Sequence, residues 1–538
     1  MQVDLILNAR WVLPIVPNNT LLENHAVVVQ SGKIIDALSS AQVHDKYQAT
    51  ENITLDEHVL MPGFVNLHTH AAMSLMRGLA DDVALMPWLE KHIWPAEAKL
   101  VSPSFARDGT LLACAEMLSG GVTTYNDMYF YPEAAAEASI QAGLRANLGL
   151  VVLEFPTQYA SDADSYIAQG SAARDHLRDE PLISFSFAPH APYTVADGTF
   201  QRIQTLAEQL NIGIHTHLHE TKDEITQSEQ TCGLRPLSRL ANLGLLGPNL
   251  TLAHCVHLDE TEIKLLAENG CSIAHCPSSN LKLASGIAPI AEYAKRGVNI
   301  GLGTDGAASN NRLDMFSEMR LAALLAKGQS GDATAITAHQ ALEMATINGA
   351  KALGLDDKIG SIEVGKCADL TAVKLSNFAM QPCFDVASHL VYVAGREQVS
   401  HVWVNVFIEL PKFNKKETEL TTMIDQWVYF IKNSENLEVI PESVKDNGLR
   451  NAYEDADKHN WTKAELEAYD YVLMREQDDR GRITFATKKA VKEAIKEALS
   501  QKEIDIAINL LNLGLSVEDI AKGTGLTVEQ IQKLQDEN

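Results

Sequence analysis

Positive charge is scarce in this chain: 44 lysines and arginines face 70 aspartates and glutamates over 538 residues, a formal net charge of −26. That deficit argues against DNA, RNA or an anionic membrane as the main partner, because phosphate is held by lysine and arginine. It sets no bar to a small ligand bound by shape. Cysteine is also sparse, with seven residues, an odd number, and no CxxC pair. A disulfide framework is therefore not expected, and reduced thiols in a cytoplasm are. No run of about 18 apolar residues offers a membrane span. The first twenty residues lack a basic stretch followed by an apolar core and cleavage site, and read as a strand pair rather than a signal peptide. No GxGxxG follows the first long apolar strand, so the dinucleotide fingerprint is missing. The hydrophobic fraction of 46% is that of an ordinary globular protein, and the length calls for more than one domain.

What the chain does have is PGFVNLHTH at 62–70, an apolar run closed by two histidines one residue apart. Side chains alternate faces along a strand, so His68 and His70 can reach one metal ion together. Three later runs end in the same way: IGIHTHLHE at 212–220, LTLAHCVH at 250–257 and VNIGLGTDG at 298–306. Each reads as a buried parallel strand with polar chemistry at its C-terminal end. Imidazole nitrogen and carboxylate oxygen suit Zn²⁺ or Fe²⁺, and a catalytic metal needs three or four protein ligands with one position open to water. Two histidines of the first strand, one of the fifth (His215, His217 or His219) and Asp305 of the eighth supply that set. Asp305 is the least ambiguous, since a carboxylate in an apolar, glycine-rich run needs a strong partner to offset its burial. His215, His217 and His219 share one face of the fifth strand; the resemblance described below implies His217 and makes His215 and His219 lesser candidates as ligands. His257 and His275 read as supporting or packing residues, and Asp127 as a binding or a capping group.

Eight strands are expected, at 59–68, 121–127, 144–153, 182–190, 212–217, 250–254, 271–275 and 298–305, with helical patterns between several of them, for example 106–118 and 200–210. Repeated strand–helix alternation indicates a parallel α/β fold, and eight strands favour a closed (β/α)8 TIM barrel with its active site at the C-terminal strand ends. An open doubly wound sheet is the alternative. Residues 1–58 and 360–406 alternate apolar and polar positions between turns, and flank the barrel at 59–359.

PGFVNLHTH, HTHLHE, LAHCVHL, HCPSSN and GLGTDGAASNN, in this order, resemble the metal-dependent amidohydrolase superfamily, over roughly residues 1–405. LMPWLEKHIWPAE at 85–97 and APHAPY at 188–193 are similar to its 5-methylthioadenosine/S-adenosylhomocysteine deaminases. The resemblance implies a small β-sandwich built from both flanks of the barrel, and hydrolytic removal of a 6-amino group from a nucleoside. It implies His68, His70, His217 and Asp305 as metal ligands, Glu220 as proton shuttle, and His254 beside the attacking water. Glu97 is implied at the ribose hydroxyls, His190 in the nucleoside pocket and Trp88 near the base or thio substituent. Arg145 lies where such enzymes often carry a substrate-contacting arginine, but Asn147-Leu148-Gly149-Leu150 follows where a second is expected. Two-metal members bridge their ions with a carboxylated lysine on strand four. This chain has Pro189-His190 there, so one divalent metal is expected, Zn²⁺ first and Fe²⁺ second. Alternative substrates within the fold are guanine, another adenosine derivative or a triazine; outside enzymology, the alternatives are an inactive scaffold or a DNA-associated fusion. Homo-oligomers are common among such enzymes.

From residue 407 onward the sequence departs from that pattern. It is polar and helical, with helices expected at 417–433, 462–477, 487–513 and 516–534, and resembles the C-terminal portion of PD-(D/E)XK-family transposases without the paired carboxylates and lysine of the nuclease core. Residues 516–534 have helix-turn-helix character. The tail is acidic, so a helical pair for self-association is the preferred reading over DNA binding. The expectation is an in-frame fusion in which a mobile-element remnant has replaced the C-terminus of a deaminase.

Overall fold

The computed structural model describes residues 1–404, together with Ser516, Ala521 and Gln532. The chain divides into two units, Met1–Phe407 and Ile408–Asn538. The tail helices expected from the sequence, and the helix-turn-helix within the last, lie outside the described residues apart from those three positions.

The first unit contains two sheets. Strands β1 (Gln2–Val12), β2 (Leu22–Gln30), β3 (Lys33–Ser39) and β4 (Gln48–Pro62) open the chain. Eight more follow: β5 (Phe64–Thr69), β6 (Val122–Tyr129), β7 (Arg145–Val152), β8 (Ile183–Pro189), β9 (Gly213–Leu218), β10 (Leu250–His254), β11 (Ser272–His275) and β12 (Asn299–Leu302). Strands β13 (Leu370–Lys374) and β14 (Val399–Trp403) close the unit. Strands β5 to β12 lie side by side in sequence order and every adjacent pair is parallel. The first and last come together through Asp305 N–H on the His68 carbonyl (2.9 Å) and through Asn66, whose side chain bonds both the backbone N–H (2.9 Å) and the hydroxyl (2.8 Å) of Thr304. The result is a near-closed barrel of eight parallel strands with helices on its outside, as expected.

The first barrel strand is shorter than the expected 59–68. Val59–Pro62 pairs with β13 in the other sheet, and the chain changes sheets at Gly63. A Cβ at Gly63 would come within 2.1 Å of the Thr123 side chain, so only glycine passes the rim of the barrel here. The expected helices at 106–118 and 200–210 begin three residues earlier, as Pro103–Ser119 and Asp197–Leu210. In the first, Ser102 accepts the Phe105 N–H and proline occupies the first turn, a standard helix start.

The flanking strands form one six-stranded sheet, in the order β14-β13-β4-β1-β2-β3, where a sandwich was expected. Its pairings shift register between Ala9 and Trp11, between Val28 and Val29, and between Ala372 and Val373, and such bulges bend a sheet instead of splitting it in two. Both faces carry apolar side chains. Val27 and Val29 join Leu7, Leu55, Leu60 and Leu370 on one side, while Ala26 and Val28 join Val3, Val43 and Tyr47 on the other. Among the described residues, no helix is long and apolar enough to cross a membrane.

Candidate active site

Five polar side chains meet at the C-terminal ends of the barrel strands. His68 lies on β5, one residue before its end, and His70 follows that strand; His217 lies on β9, His254 ends β10, and Asp305 stands three residues past β12. The nitrogen and oxygen donors of His68, His70 and Asp305 lie within 4.8 Å of one another, and so do those of His68, His217 and His254. His68 belongs to both triples. One oxygen of Asp305, Oδ1, is 3.4 Å from His68 Nε2 and 3.3 Å from His70 Nε2. The backbone takes up left-handed φ at His254 (71°) and Asp305 (60°), a cost borne at these two strand ends by residues that turn toward the shared point.

Each ring is oriented from behind. His70 Nδ1 donates to the Met128 carbonyl (2.6 Å) and His217 Nδ1 to the His190 carbonyl (2.6 Å), leaving Nε2 of both facing the centre. His254 Nδ1 donates to Asn280 Oδ1 (2.8 Å). His68 Nδ1 faces His215 Nε2 (3.0 Å), and its buried Nε2 lacks a hydrogen-bond partner. An orphaned imidazole nitrogen, surrounded by two further Nε2 atoms and a carboxylate, fits a divalent metal with nitrogen and oxygen ligands. Burial holds His68 down to about 4, so its lone pair is free at neutral pH. Asp305 is held by Ser279, whose hydroxyl donates to Oδ2 (2.6 Å), and by the Gly306 N–H on Oδ1 (2.7 Å).

Above this centre opens a cavity of about 470 Å³. His70, His217, Glu220, His254 and Asp305 form its floor, and Trp88, Trp94, Glu97, Tyr129, Phe155 and His190 are among its walls. The wall over residues 85–100 is a short helix (Leu85–Trp88), a single π-helical turn (Leu89–Ile93) and a second helix (Trp94–Leu100). Wide turns of this kind are frequent at functional sites. Glu220 is buried and its carboxyl is pushed up by that burial. Its Oε2 is 3.8 Å from His254 Nε2, and the Ser285 hydroxyl lies 3.4 Å from Oε1. Glu97 accepts the Tyr129 hydroxyl (2.9 Å), and burial raises it to about 7. His190, held by Thr194 Oγ1 (3.1 Å), is pressed down to about 3 by burial and stays neutral. The Trp88 indole N–H is buried on the cavity wall without a partner.

Other residues singled out from the sequence lie away from the floor. Arg145 is a correction. It opens β7 at the opposite, N-terminal end of the barrel, where it is buried in an ion pair with Asp369 (2.9 Å) and bonds the Pro181 carbonyl (3.2 Å), so it is removed from the substrate contacts. His219 accepts the Leu237 N–H at Nε2 (3.0 Å) and donates to the His257 carbonyl (3.2 Å), which uses up both nitrogens. His257 bonds the Ser285 carbonyl (2.7 Å), and His275 is buried at the end of β11. Asp127 accepts the Ala71 N–H (2.7 Å) and so anchors the turn after His70. Sequence reasoning gave no role to Ser279, Asn280 or Tyr129. The first two sit in HCPSSN, on the helix after β11, and their polar character in an apolar setting was the available signal.

Two family models match the chain: the amidohydrolase family over residues 59–408, and the PD-(D/E)XK nuclease family transposase over residues 362–486. The second match starts and ends earlier than the resemblance expected at 407–538. A 5-methylthioadenosine/S-adenosylhomocysteine deaminase of Saccharophagus degradans is 47% identical, covering 79% of this chain and 94% of its own length. One of Teredinibacter turnerae is 48% identical, covering 75% and 91%. The crystal structure of an adenosine deaminase from Xanthomonas campestris with bound zinc superposes with a TM-score of 0.74 at 50% identity, covering 75% of this chain and 92% of that one.

Proposed function

The chain belongs to the amidohydrolase family, and we propose that it hydrolyses the 6-amino group of 5-methylthioadenosine and S-adenosylhomocysteine, giving the inosine analogues and ammonia. The observation that carries this reading is the placement of Glu220 and His254 on the floor of an apolar cavity of about 470 Å³, with Glu97 on its wall. That volume lies in the range of small-molecule sites. The reading is supported further by two relatives at 47% and 48% identity that carry this activity in their names.

His68, His70, His217 and Asp305 would hold one divalent metal, which when bound supplies a water acidic enough to attack at neutral pH. We assign Zn²⁺, in keeping with the nitrogen-rich donor set and with the zinc in the Xanthomonas relative. The remaining work falls to the protein's own groups. Asp305 takes a proton from the attacking water as its oxygen bonds to C6, and His254 hydrogen-bonds that oxygen. Glu220, whose carboxyl is pushed up by burial, donates to N1. It recovers a proton from the adduct and passes it to the departing amino group, so the C6–N bond breaks with loss of ammonia, and the proton left on Asp305 returns to Glu220 to restore both groups for the next turnover. Glu97 accepts from the ribose hydroxyls, while His190 and Trp88 border the base and its 5′ neighbour. The substrate is a small nucleoside and the compartment a reducing cytoplasm, in keeping with seven free thiols.

The test is ammonia release from 5-methylthioadenosine, S-adenosylhomocysteine, adenosine and guanine, before and after chelation and re-addition of Zn²⁺. Metal-dependent turnover of the first two is expected. Turnover of guanine alone, or turnover indifferent to chelation, would refute the assignment.

A further inference from the structure

Glu220 reaches the cavity because the chain turns just before it. Side chains alternate along a regular strand, so a residue three places after His217 should face away from it. Strand β9 ends at Leu218, and His219 takes up a left-handed φ of 52°. The alternation is broken there: His217 and Glu220 both line the cavity, and His219 does not. A residue other than glycine holds such a φ only where its surroundings over-determine it. From one side, the N–H groups of Val256 (3.0 Å) and His257 (3.2 Å) donate to the His219 carbonyl. On the other side stands Glu224.

Glu224 lies in the first turn of the helix Lys222–Cys232 and is 6% exposed. Its Oε1 accepts the His219 N–H (3.0 Å) and its Oε2 the Glu220 N–H (2.8 Å). One carboxylate thus clamps two consecutive amides at the turn. Ordinary helix capping does not account for this. Thr221 already caps the helix, its hydroxyl oxygen accepting the Glu224 N–H (3.3 Å), and a glutamate at this position usually bonds the N–H of the cap residue itself. Glu224 reaches past the cap to the two residues before it. Burying a carboxylate also has a cost, and two amides do not need one for their satisfaction. A cavity of about 350 Å³ adjoins Glu224, and water there can accept from both. Water leaves the direction of the turn free, whereas a two-pronged side chain anchored on a helix fixes it.

We propose that Glu224 is a positioning residue for proton transfer: by clamping the amides of His219 and Glu220 it sets the turn that presents the Glu220 carboxyl to N1 of the base. This rests on the reading of Glu220 as the proton shuttle. Glu224 is absent from the lining of the active-site cavity, so it acts through the turn and not on the substrate. Its loss lowers kcat and leaves KM and zinc content unchanged. Misplacing a reacting group by about 1 Å costs up to about 10²-fold in rate.

The experiment is a double-mutant cycle on the full-length zinc enzyme, with kcat read as ammonia release from 5-methylthioadenosine. It is run at about pH 8.5, above the value of about 7 to which burial raises the Glu224 carboxyl. Glu224→Gln keeps one acceptor and sets an amide NH2 against the other backbone N–H. Glu224→Asp keeps the charge and falls one methylene short. Each is expected to lower kcat by about 10–100-fold, with KM within about threefold and zinc content at the wild-type level. In the Glu220→Gln background the same substitutions are expected to change kcat by less than about twofold, because no shuttle is left to position. Equal fold-losses in the two backgrounds, no loss in either, or a loss confined to KM would overturn the proposal. So would failure of both variants to fold, since Glu224 would then serve the fold. Wild type that releases no ammonia, or Glu220→Gln within tenfold of wild type, would overturn the reading beneath; a deep Glu220→Gln loss with additive Glu224 losses overturns the inference alone.

Discussion

Replacing Glu97 by glutamine separates ribose recognition from the chemical step. Tyr129 already donates to Glu97 Oε1, which leaves Oε2 and the remaining lone pairs for hydroxyls of a ligand. Glutamine keeps the size and one acceptor but turns the other into a donor, and it removes the charge. A hydrogen bond to a charged acceptor contributes about 1.5–3 kcal/mol, so kcat/KM for 5-methylthioadenosine should fall by about 10–150-fold. The hydroxyls are remote from C6 and are held equally in ground and transition states, so the loss belongs in KM. A 2′,3′-dideoxy analogue supplies the control, because it should be turned over equally by wild type and variant. The acid limb offers an independent check. Burial raises Glu97 from an ordinary 4.5 to about 7, which corresponds to about 3 kcal/mol favouring the protonated form. Wild-type kcat/KM should therefore climb with pH through about 7, and this limb should be absent from the variant. The stability effect has the opposite direction. Between pH 4.5 and 7 the folded state binds the proton that the unfolded state has lost, so Glu97 destabilises the fold as pH rises through that window. Glu97→Gln should melt with wild type near pH 4 and above it at pH 8. A kcat-dominated loss, or equal sensitivity of the dideoxy analogue, would refute the reasoning.

Glu220→Gln should lower kcat by about 10²–10⁴ while retaining the Ser285 contact and full metal content; a loss under tenfold, measured by ammonia release, would remove the shuttle role. Gly303→Ala tests the barrel seam, because its Cβ would lie 2.8 Å from both Cβ and N of His68. Overpacking of this kind costs about 1–3 kcal/mol, and the displaced His68 should weaken metal binding at least tenfold by chelator competition. Unchanged affinity would show that the seam gives way elsewhere.

The metal-site candidates were legible because a strand projects alternate residues to one side and a parallel barrel gathers its C-terminal ends. His68 and His70, together with the terminal residues of three further runs, were enough to nominate the cluster. The strand set was legible for the same reason, but the boundary at Gly63 was not. Val59–Pro62 and Phe64–Thr69 form one apolar run, and the change of sheet depends on Thr123, sixty residues later. Arg145 failed for a similar reason. Its position by resemblance suggested a ligand contact, whereas its ion pair is made with Asp369, 224 residues along the chain. The hydrogen-bonded group of Asn126, Asn147 and His215 was equally hidden. Isolated polar residues in apolar strands carry no sign of which neighbour across the barrel will satisfy them.

The C-terminal tail poses a question of dependence that the strand register helps to answer. Residues 362–408 are claimed by both family matches. Within that overlap, β13 pairs with β4 from Leu370 opposite Pro62 to Lys374 opposite His58, and β14 pairs with β13 from Leu370 opposite Trp403. Hydrogen-bonded partners of β4 belong to the unit that carries the barrel, so this stretch acts as amidohydrolase whatever its second likeness. Every residue named on the cavity floor and walls falls between His70 and Asp305, more than a hundred residues before the tail. A chain ending after residue 410 should therefore keep kcat/KM for 5-methylthioadenosine within twofold of the full chain and melt at the same temperature. A tenfold loss of kcat/KM with an unchanged melting temperature would mean that the tail acts on the cavity. A fall in melting temperature with normal turnover at low temperature would mean that it braces the edge strand β14. Either outcome would refute the view that the tail is a passenger.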